Sequence, residues 1–285
     1  MFDRLSNWVR QGQITHAMEE NLRLVLMPLL LALLIQPCSA KTPLYLVALM
    51  GQSNMVGHGK LSDLPPGFPA NSTKLWNFTN AYKWEPAKEP VDSPLGQLDT
   101  VSRDKQAGVG PSLALADAFV STYPSTTVGL IPCAKGGSSI SQWQEMPTAE
   151  PRNTLLGSCL TRIKAASQGD AKIRAVIFWQ GGHDARSLRS AIQWKEGFTR
   201  MVAELRATLG NPNLPIILVM LDEGPREPNK YPYWHIVRDQ QRAVNLPGVT
   251  KITAGDYERK SDGIHLDTRG QLAIGTALAG VLPAP

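Results

Sequence analysis

The chain has 285 residues, 42% of them hydrophobic and 19% charged, with a formal net charge of +5 and a sequence pI near 9.1. This composition excludes a disordered chain and supplies a core for one large α/β domain or two small ones. The basic residues are scattered, without a Lys/Arg run, which argues for a solvated basic surface and against nucleic acid as a partner.

Residues 1–40 read as a targeting segment outside the fold. Leu22 to Ile35 is apolar except for Arg23 and Pro28, and Pro37-Cys38-Ser39-Ala40 places small residues where a signal peptidase cuts, after Ala40. The run is short for a membrane span. An uncleaved N-terminal anchor is the alternative reading, and Met18 is an alternative start. The working domain is then 41–285, secreted or periplasmic, with the membrane as a partner only if the segment is retained. Cleavage leaves Cys133 and Cys159, either as a disulfide, which export permits, or as two buried thiols.

Leu44 to Met50 is an apolar run that predicts the first strand. Gly51-Gln52-Ser53-Asn54-Met55 follows at once, and the glycine allows a sharp turn that lifts a serine hydroxyl off the sheet edge. Gly59 to Ala107 is a long polar excursion rich in proline. The excursion is expected to form one wall of the substrate groove, or else to be a surface flap whose Trp76, Phe78, Tyr82 and Trp84 pack onto the body. Gly108-Val109-Gly110-Pro111 opens a helix over Pro111 to Tyr123. Strands are predicted at Thr126 to Pro132, Ile173 to Trp179, Pro215 to Leu221 and Val249 to Thr253. Helices are predicted at Asn153 to Ser167, Ala185 to Leu209, Tyr233 to Val244 and Thr268 to Leu282. This alternation specifies βαβ units and a parallel sheet. Ligands of such sheets bind beyond the C-terminal strand ends, where Ser53, the Gly136-Gly137 loop and Gln180 all fall.

A serine hydroxyl becomes a nucleophile when a histidine takes its proton and a carboxylate fixes that histidine's tautomer. Asp262-Gly263-Ile264-His265, just ahead of the last helix, supplies both at one-turn spacing. Beyond residue 40 the histidines are His58, His183, His235 and His265. His58 lies too near Ser53 in sequence to face its hydroxyl and is expected to line the pocket. His183 is the second candidate for the base, and His235, among Tyr231, Tyr233 and Trp234, is expected to be packed and hydrogen-bonded.

Together the segments 51–55, 108–111, 131–137, 179–181 and 262–265 resemble those of the SGNH-type hydrolases, more narrowly the sialate O-acetylesterase-like carbohydrate esterases of family 6, over residues 44–282. The resemblance implies a three-layer α/β/α sandwich around a mostly parallel five-stranded sheet. It implies Ser53, Asp262 and His265 as the catalytic residues. It also implies an oxyanion hole from the Ser53 and Gly110 N–H groups and the Gln180 amide. Gln52, Asn54, His58, Gly136 and Gly137 would contact an acetylated carbohydrate. Two positions depart from the family pattern: Gly182 stands where a glutamate usually follows Gln-Gly, and Ser112 where bacterial members often have an acid.

No cofactor or metal is expected, since the sequence lacks His-x-Glu, His-Glu-x-x-His and Cys-x-x-Cys. Asp222-Glu223 reads as a cap or salt-bridge pair rather than the separated carboxylates of a glycosidase. The leading reading is an exported carbohydrate O-acetylesterase. The competitors are a catalytically weak carbohydrate binder, supported only by Gly182, and a lipase- or thioesterase-like enzyme, which would need a broad apolar groove.

Overall fold

The computed structural model describes residues 45–285 other than 170, 225 and 226; the expected targeting segment lies outside them. Strand β1 (Tyr45–Gly51) is buried at all seven positions, as an unbroken apolar run requires of a strand covered on both faces. Its side chains alternate between two cores. Leu46, Ala48 and Met50 face one, and Tyr45, Val47 and Leu49 face the other.

After the short α1 (Ser53–Val56) the chain makes β2 (Leu75–Phe78), β3 (Trp84–Pro86), α2 (Ser112–Thr122), β4 (Val128–Pro132), α3 (Ile140–Trp143) and α4 (Leu155–Ala166). It continues through β5 (Lys172–Trp179), α5 (Leu188–Thr208), β6 (Ile216–Met220), α6 (Trp234–Arg242), β7 (Val249–Thr253) and α7 (Thr268–Ala279). The sheet order is β3-β2-β4-β1-β5-β6-β7, parallel throughout except for the antiparallel β2–β3 pair. Helices α2 and α7 pack on one face; α3, α4, α5 and α6 pack on the other. The expected three-layer α/β/α class holds. The chain leaves β1 for β4 on one side and later β5 on the other, so the switch point of the sheet lies at the C-terminal end of β1, where Ser53 begins.

The five-stranded expectation is corrected to seven. The added β2 and β3 have four and three residues and sit at one edge inside the Pro-rich excursion, too short to show a strand period. Arg162 of α4, 1% exposed, holds this excursion down. It donates to Phe78 O at 2.9 Å and Asn80 Oδ1 at 3.1 Å. A buried guanidinium with fixed acceptors orders a segment that has little apolar surface of its own.

The same excursion carries two carboxyls with enclosed oxygens, Glu89 Oε1 and Asp92 Oδ2. Burial pushes Glu89 up to about 8 against hydrogen bonds from the Val91 and Gly110 N–H groups, and pushes Asp92 up to about 7 against the attraction of Arg162. Unfolded carboxyls titrate near 4. Between about pH 4 and 8 these two groups therefore hold more protons in the folded chain than in the unfolded chain, and their contribution to stability falls as pH rises. Thermal unfolding should move down by a few degrees between pH 5 and 8. Glu89→Gln, which keeps the neutral shape, should flatten that slope, as a melting series at several pH values would read.

Candidate active site

The turn after β1 is shaped by Gly51, whose φ is +133°; a Cβ there would meet the Trp179 carbonyl oxygen at 2.1 Å. Only glycine lets the elbow pass this close to β5. Ser53 then stands at the start of α1, where the first N–H groups of a helix have no partner within it. The elbow brings together Ser53, His265 and Asp262. His265 Nε2 lies 2.7 Å from Ser53 Oγ, and its Nδ1 lies 2.8 Å from Asp262 Oδ2. Asp262 Oδ1 accepts the Ile264 and His265 N–H groups, each at 2.9 Å. Burial pushes the Asp262 carboxyl up, but these hydrogen bonds outweigh it and hold the group at about 2. Asp262 stays charged at working pH and keeps the proton of the neutral ring on Nδ1, so Nε2 presents its lone pair to the serine.

Asn54 was expected to touch substrate. Instead it is buried and turned away, with Nδ2 donating to Ile264 O at 3.1 Å and Oδ1 accepting Leu266 N–H at 3.0 Å. It grips the backbone on both sides of His265. Arg259 adds a second hold on the Ile264 carbonyl at 3.1 Å and pairs with Asp222. The sequence signal for the clamp was only an asparagine beside the serine.

The expected oxyanion roles of Gly110 and Gln180 do not fit the geometry. Gly110 N–H points to Glu89 Oε2 at 3.4 Å, behind the elbow. Gln180 is 0% exposed; its Nε2 donates to Ser138 O at 2.9 Å and to Asp184, and its Oε1 accepts from Trp194 Nε1 at 2.8 Å. Both amide hydrogens are spent in the interior. Gln52 offers the amide that Gln180 does not. Its Oε1 accepts the Gly181 and His183 N–H groups at 3.3 Å each, with Gln180 Nε2 at 3.4 Å. The two backbone N–H donors on this oxygen fix which end is which. Gln52 lines the cavity over Ser53, and its Nε2 has no protein acceptor among the described residues. A Cβ on Gly182 would come within 2.9 Å of that nitrogen.

The cavity has a volume of about 490 Å³. Gly136 and Gly137 line it as expected, and the Asp104 carboxylate anchors their loop through Gly136 N–H at 2.9 Å and Lys135 Nζ at 3.2 Å. Its walls carry Arg103, Lys105, Lys135 and Arg186 against the single acid Asp104. The sequence reading missed this cationic lining because Lys135 and Arg186 lie far along the chain from Arg103 and Lys105. The excursion does supply one wall of the cavity, through Arg103, Asp104, Lys105 and Gln106, but Trp76, Phe78, Tyr82 and Trp84 do not line it. Phe78 packs on Tyr82 and Trp84, both set against the main core. His58 does line the cavity, stacked on His265. His183 lines it too, yet the ring bonded to Ser53 is that of His265. His235, expected to be packed, is exposed on α6, which turns it outward while Trp234 and Val237 face the core. Asp222 and Glu223 are salt-bridge partners of Arg259, Arg238 and Arg242. Among the described residues no cluster of three or more His, Cys, Asp or Glu could hold a metal.

If Asn54 places His265, releasing it moves a ring that must sit within hydrogen-bond reach of Ser53. Asn54→Ala should lower kcat by about a hundredfold with little change in KM. Steady-state kinetics on a small acetyl ester, with a melting curve to confirm folding, reads this.

Comparison with known proteins adds independent evidence. Residues 42–282 match the family model described as carbohydrate esterase, sialic acid-specific acetylesterase. A probable carbohydrate esterase of Arabidopsis thaliana is 31% identical over 251 residues, covering 83% of this chain and 89% of the relative. The crystal structure of the Arabidopsis protein superposes with a TM-score of 0.72 at 29% identity, over 84% of this chain and 97% of that one. A carbohydrate acetylesterase from Xanthomonas citri shares the fold, with a TM-score of 0.55 at 21% identity over 83% of this chain and 55% of that one. With five-sixths of its length matched by the model, the chain belongs to the carbohydrate esterase family of the sialic acid-specific acetylesterase type and is a carboxylic ester hydrolase.

Proposed function

We propose that this chain is an exported serine O-acetylesterase acting on an acetylated carbohydrate by acyl transfer through Ser53, His265 and Asp262. The relay of two short hydrogen bonds, 2.7 Å to Ser53 and 2.8 Å to Asp262, carries this reading. His265 Nε2 takes the Ser53 proton as Oγ attacks the acetyl carbonyl carbon. The tetrahedral intermediate collapses by breaking the bond to the sugar oxygen, which receives the proton from His265. Water then attacks the acetyl-serine, again giving its proton to His265, and acetate leaves with Ser53 restored. The Ser53 N–H and the Gln52 Nε2 group are the donors for the oxyanion, in place of Gly110 and Gln180. Export is favoured by the leader-like residues 1–40 and by the disulfide between Cys133 and Cys159.

Four bases against one acid around the cavity favour a sugar that carries a carboxylate. A polar, cationic cavity does not suit the long acyl chain of a lipase substrate.

Ser53→Ala should abolish acetate release while leaving the fold intact, and a fluorophosphonate probe should label Ser53 in the natural chain. Gln52→Ala should lower kcat about a hundred- to a thousandfold, far more than it changes KM. Labelling at another serine would remove Ser53 from the mechanism. The rate should fall on the acid side, because a protonated His265 cannot take the serine proton, whereas Asp262 remains ionised there. In a panel of acetylated glycans, O-acetylated sialic acid should release acetate faster than acetylated xylan at low salt, and the gap should narrow as salt screens the basic wall.

A further inference from the structure

His265 is held at the edge of its ring by two hydrogen bonds, from Nδ1 to Asp262 at 2.8 Å and from Nε2 to Ser53 at 2.7 Å. They fix where the ring points. Two contacts at the edge resist weakly a tilt of the ring out of its own plane, which would swing the Nε2 lone pair off the serine proton. Something must press on the face of the ring. The His58 ring does so, parallel to it, with centroids 4.2 Å apart and planes 15° apart.

His58 cannot retreat, because its neighbours on both sides are pinned. Gly57 O accepts Gly108 N–H at 2.9 Å, and Gly59 exchanges two hydrogen bonds with Val109, at 2.9 and 3.0 Å. Gly57 has a φ of +96°, and a Cβ there would meet Gly110 N at 2.5 Å; one on Gly59 would meet Thr268 Oγ1 at 2.8 Å. The Gly-x-Gly segments 57–59 and 108–110 thus lock face to face through backbone contacts that side chains would block. This gives the Gly108-Val109-Gly110 motif a purpose after its loss of the oxyanion role.

We infer that His58 is a positioning residue for His265: its clamped ring is a flat stop that keeps the imidazole from tilting off its Asp262 and Ser53 hydrogen bonds and offers its π face to the imidazolium formed during acyl transfer. The inference rests on the reading of His265 as the base. Charge favours the same division of labour. Burial, then the nearby His265 and Lys260, push His58 down to about 4, against the pull of Asp104 and Asp262. The same cavity wall carries Arg103, Lys105, Lys135, Arg186 and His183. His58 therefore stays neutral beside His265 when that ring takes up the serine proton.

The test is kcat and KM for a small acetyl ester between pH 5 and 9 in the natural chain and in His58→Ala, His58→Phe and His58→Lys, each checked for folding by its melting curve. His58→Ala should lose about tenfold in kcat, the size of one stacking or cation–π contact, with KM nearly unchanged. His58→Phe, flat but without nitrogens, should regain most of that loss. His58→Lys should move the acid limb of kcat/KM to lower pH, since a fixed cation opposes protonation of His265. Natural kcat in His58→Ala, a defect confined to KM, or a His58→Phe as slow as His58→Ala would each overturn the inference. A readout free of turnover is the upfield ring-current shift of the His265 Cε1–H resonance, expected to survive in His58→Phe and to vanish in His58→Ala. Absence of that shift in the natural chain overturns the stack. If the natural chain were inert on every acetyl ester, the esterase reading would fall, and the resonance alone would decide the stack.

Discussion

Four consecutive residues, Gly51 at the end of β1 and the three that follow it, each reach a different distant part of the chain, and the site exists because they do so at once. Gly51 lets the backbone touch Trp179. Gln52 receives the N–H groups of Gly181 and His183. Ser53 meets His265, and Asn54 grips the carbonyl and N–H on either side of that histidine. The partners of Ser53 and Asn54 lie more than 200 positions away. No local propensity can join such segments. The elbow is held instead by hydrogen bonds with little tolerance for displacement, made in a buried setting where an unpaired group would be costly.

This explains which parts were legible in the sequence. The five long strands and their helices follow from apolar runs longer than a few residues, each flanked by turn residues, and β5 and α5 fall within three residues of the expected ends. Strands β2 and β3 carry no such run. They form because Arg162 and the β4 edge give their backbone somewhere to bond. Sequence also located the segments of the site while misassigning several of their roles. A Gly-x-Gly-Pro or a Trp-Gln-Gly tells where a donor lies along the chain. It does not tell whether the donor is already used. Gly110 N–H is taken by Glu89, and the Gln180 amide by Ser138 and Asp184. Gln52, counted among substrate contacts, keeps its Nε2 without a protein partner among the described residues because the Gly181 and His183 N–H groups occupy only its oxygen.

The buried amides form a chain of command from the core to the pocket. Gln241 donates to Gln180 O at 2.9 Å, Trp194 donates to its Oε1, and Asp184 receives from its Nε2. Burial, partly offset by the Gln180 and Ile140 hydrogen bonds, pushes Asp184 up to about 6. That carboxylate also caps α3 through the Ile140 N–H, 3.1 Å from each oxygen. A displaced Gln180 would leave the buried Asp184 short of a donor, so Gln180 is held by the stability of α3 as much as by the pocket.

Gly182 belongs to the same logic. A glutamate in that place, as in the family pattern, would start from a Cβ 2.9 Å from Gln52 Nε2 and 3.4 Å from Trp234 Cζ3. Its carboxylate would either push the amide aside or bind it, and in both cases a donor would be lost from the reacting centre. With glycine the amide stays open, and the buried carboxylate that steadies the floor is supplied two residues later by Asp184. The opposite wall is fixed as firmly. Cys133 is tied to Cys159 of α4 just before the Lys135-Gly136 segment, and Asp104 of the excursion grips that segment through Gly136. Ser53 and Gln52 therefore sit on one wall and Lys135 and Gly136 on the other, each braced from behind. Reaction electrostatics demand this arrangement, since a donor that must reorient as charge develops gives up much of what it could contribute to the transition state.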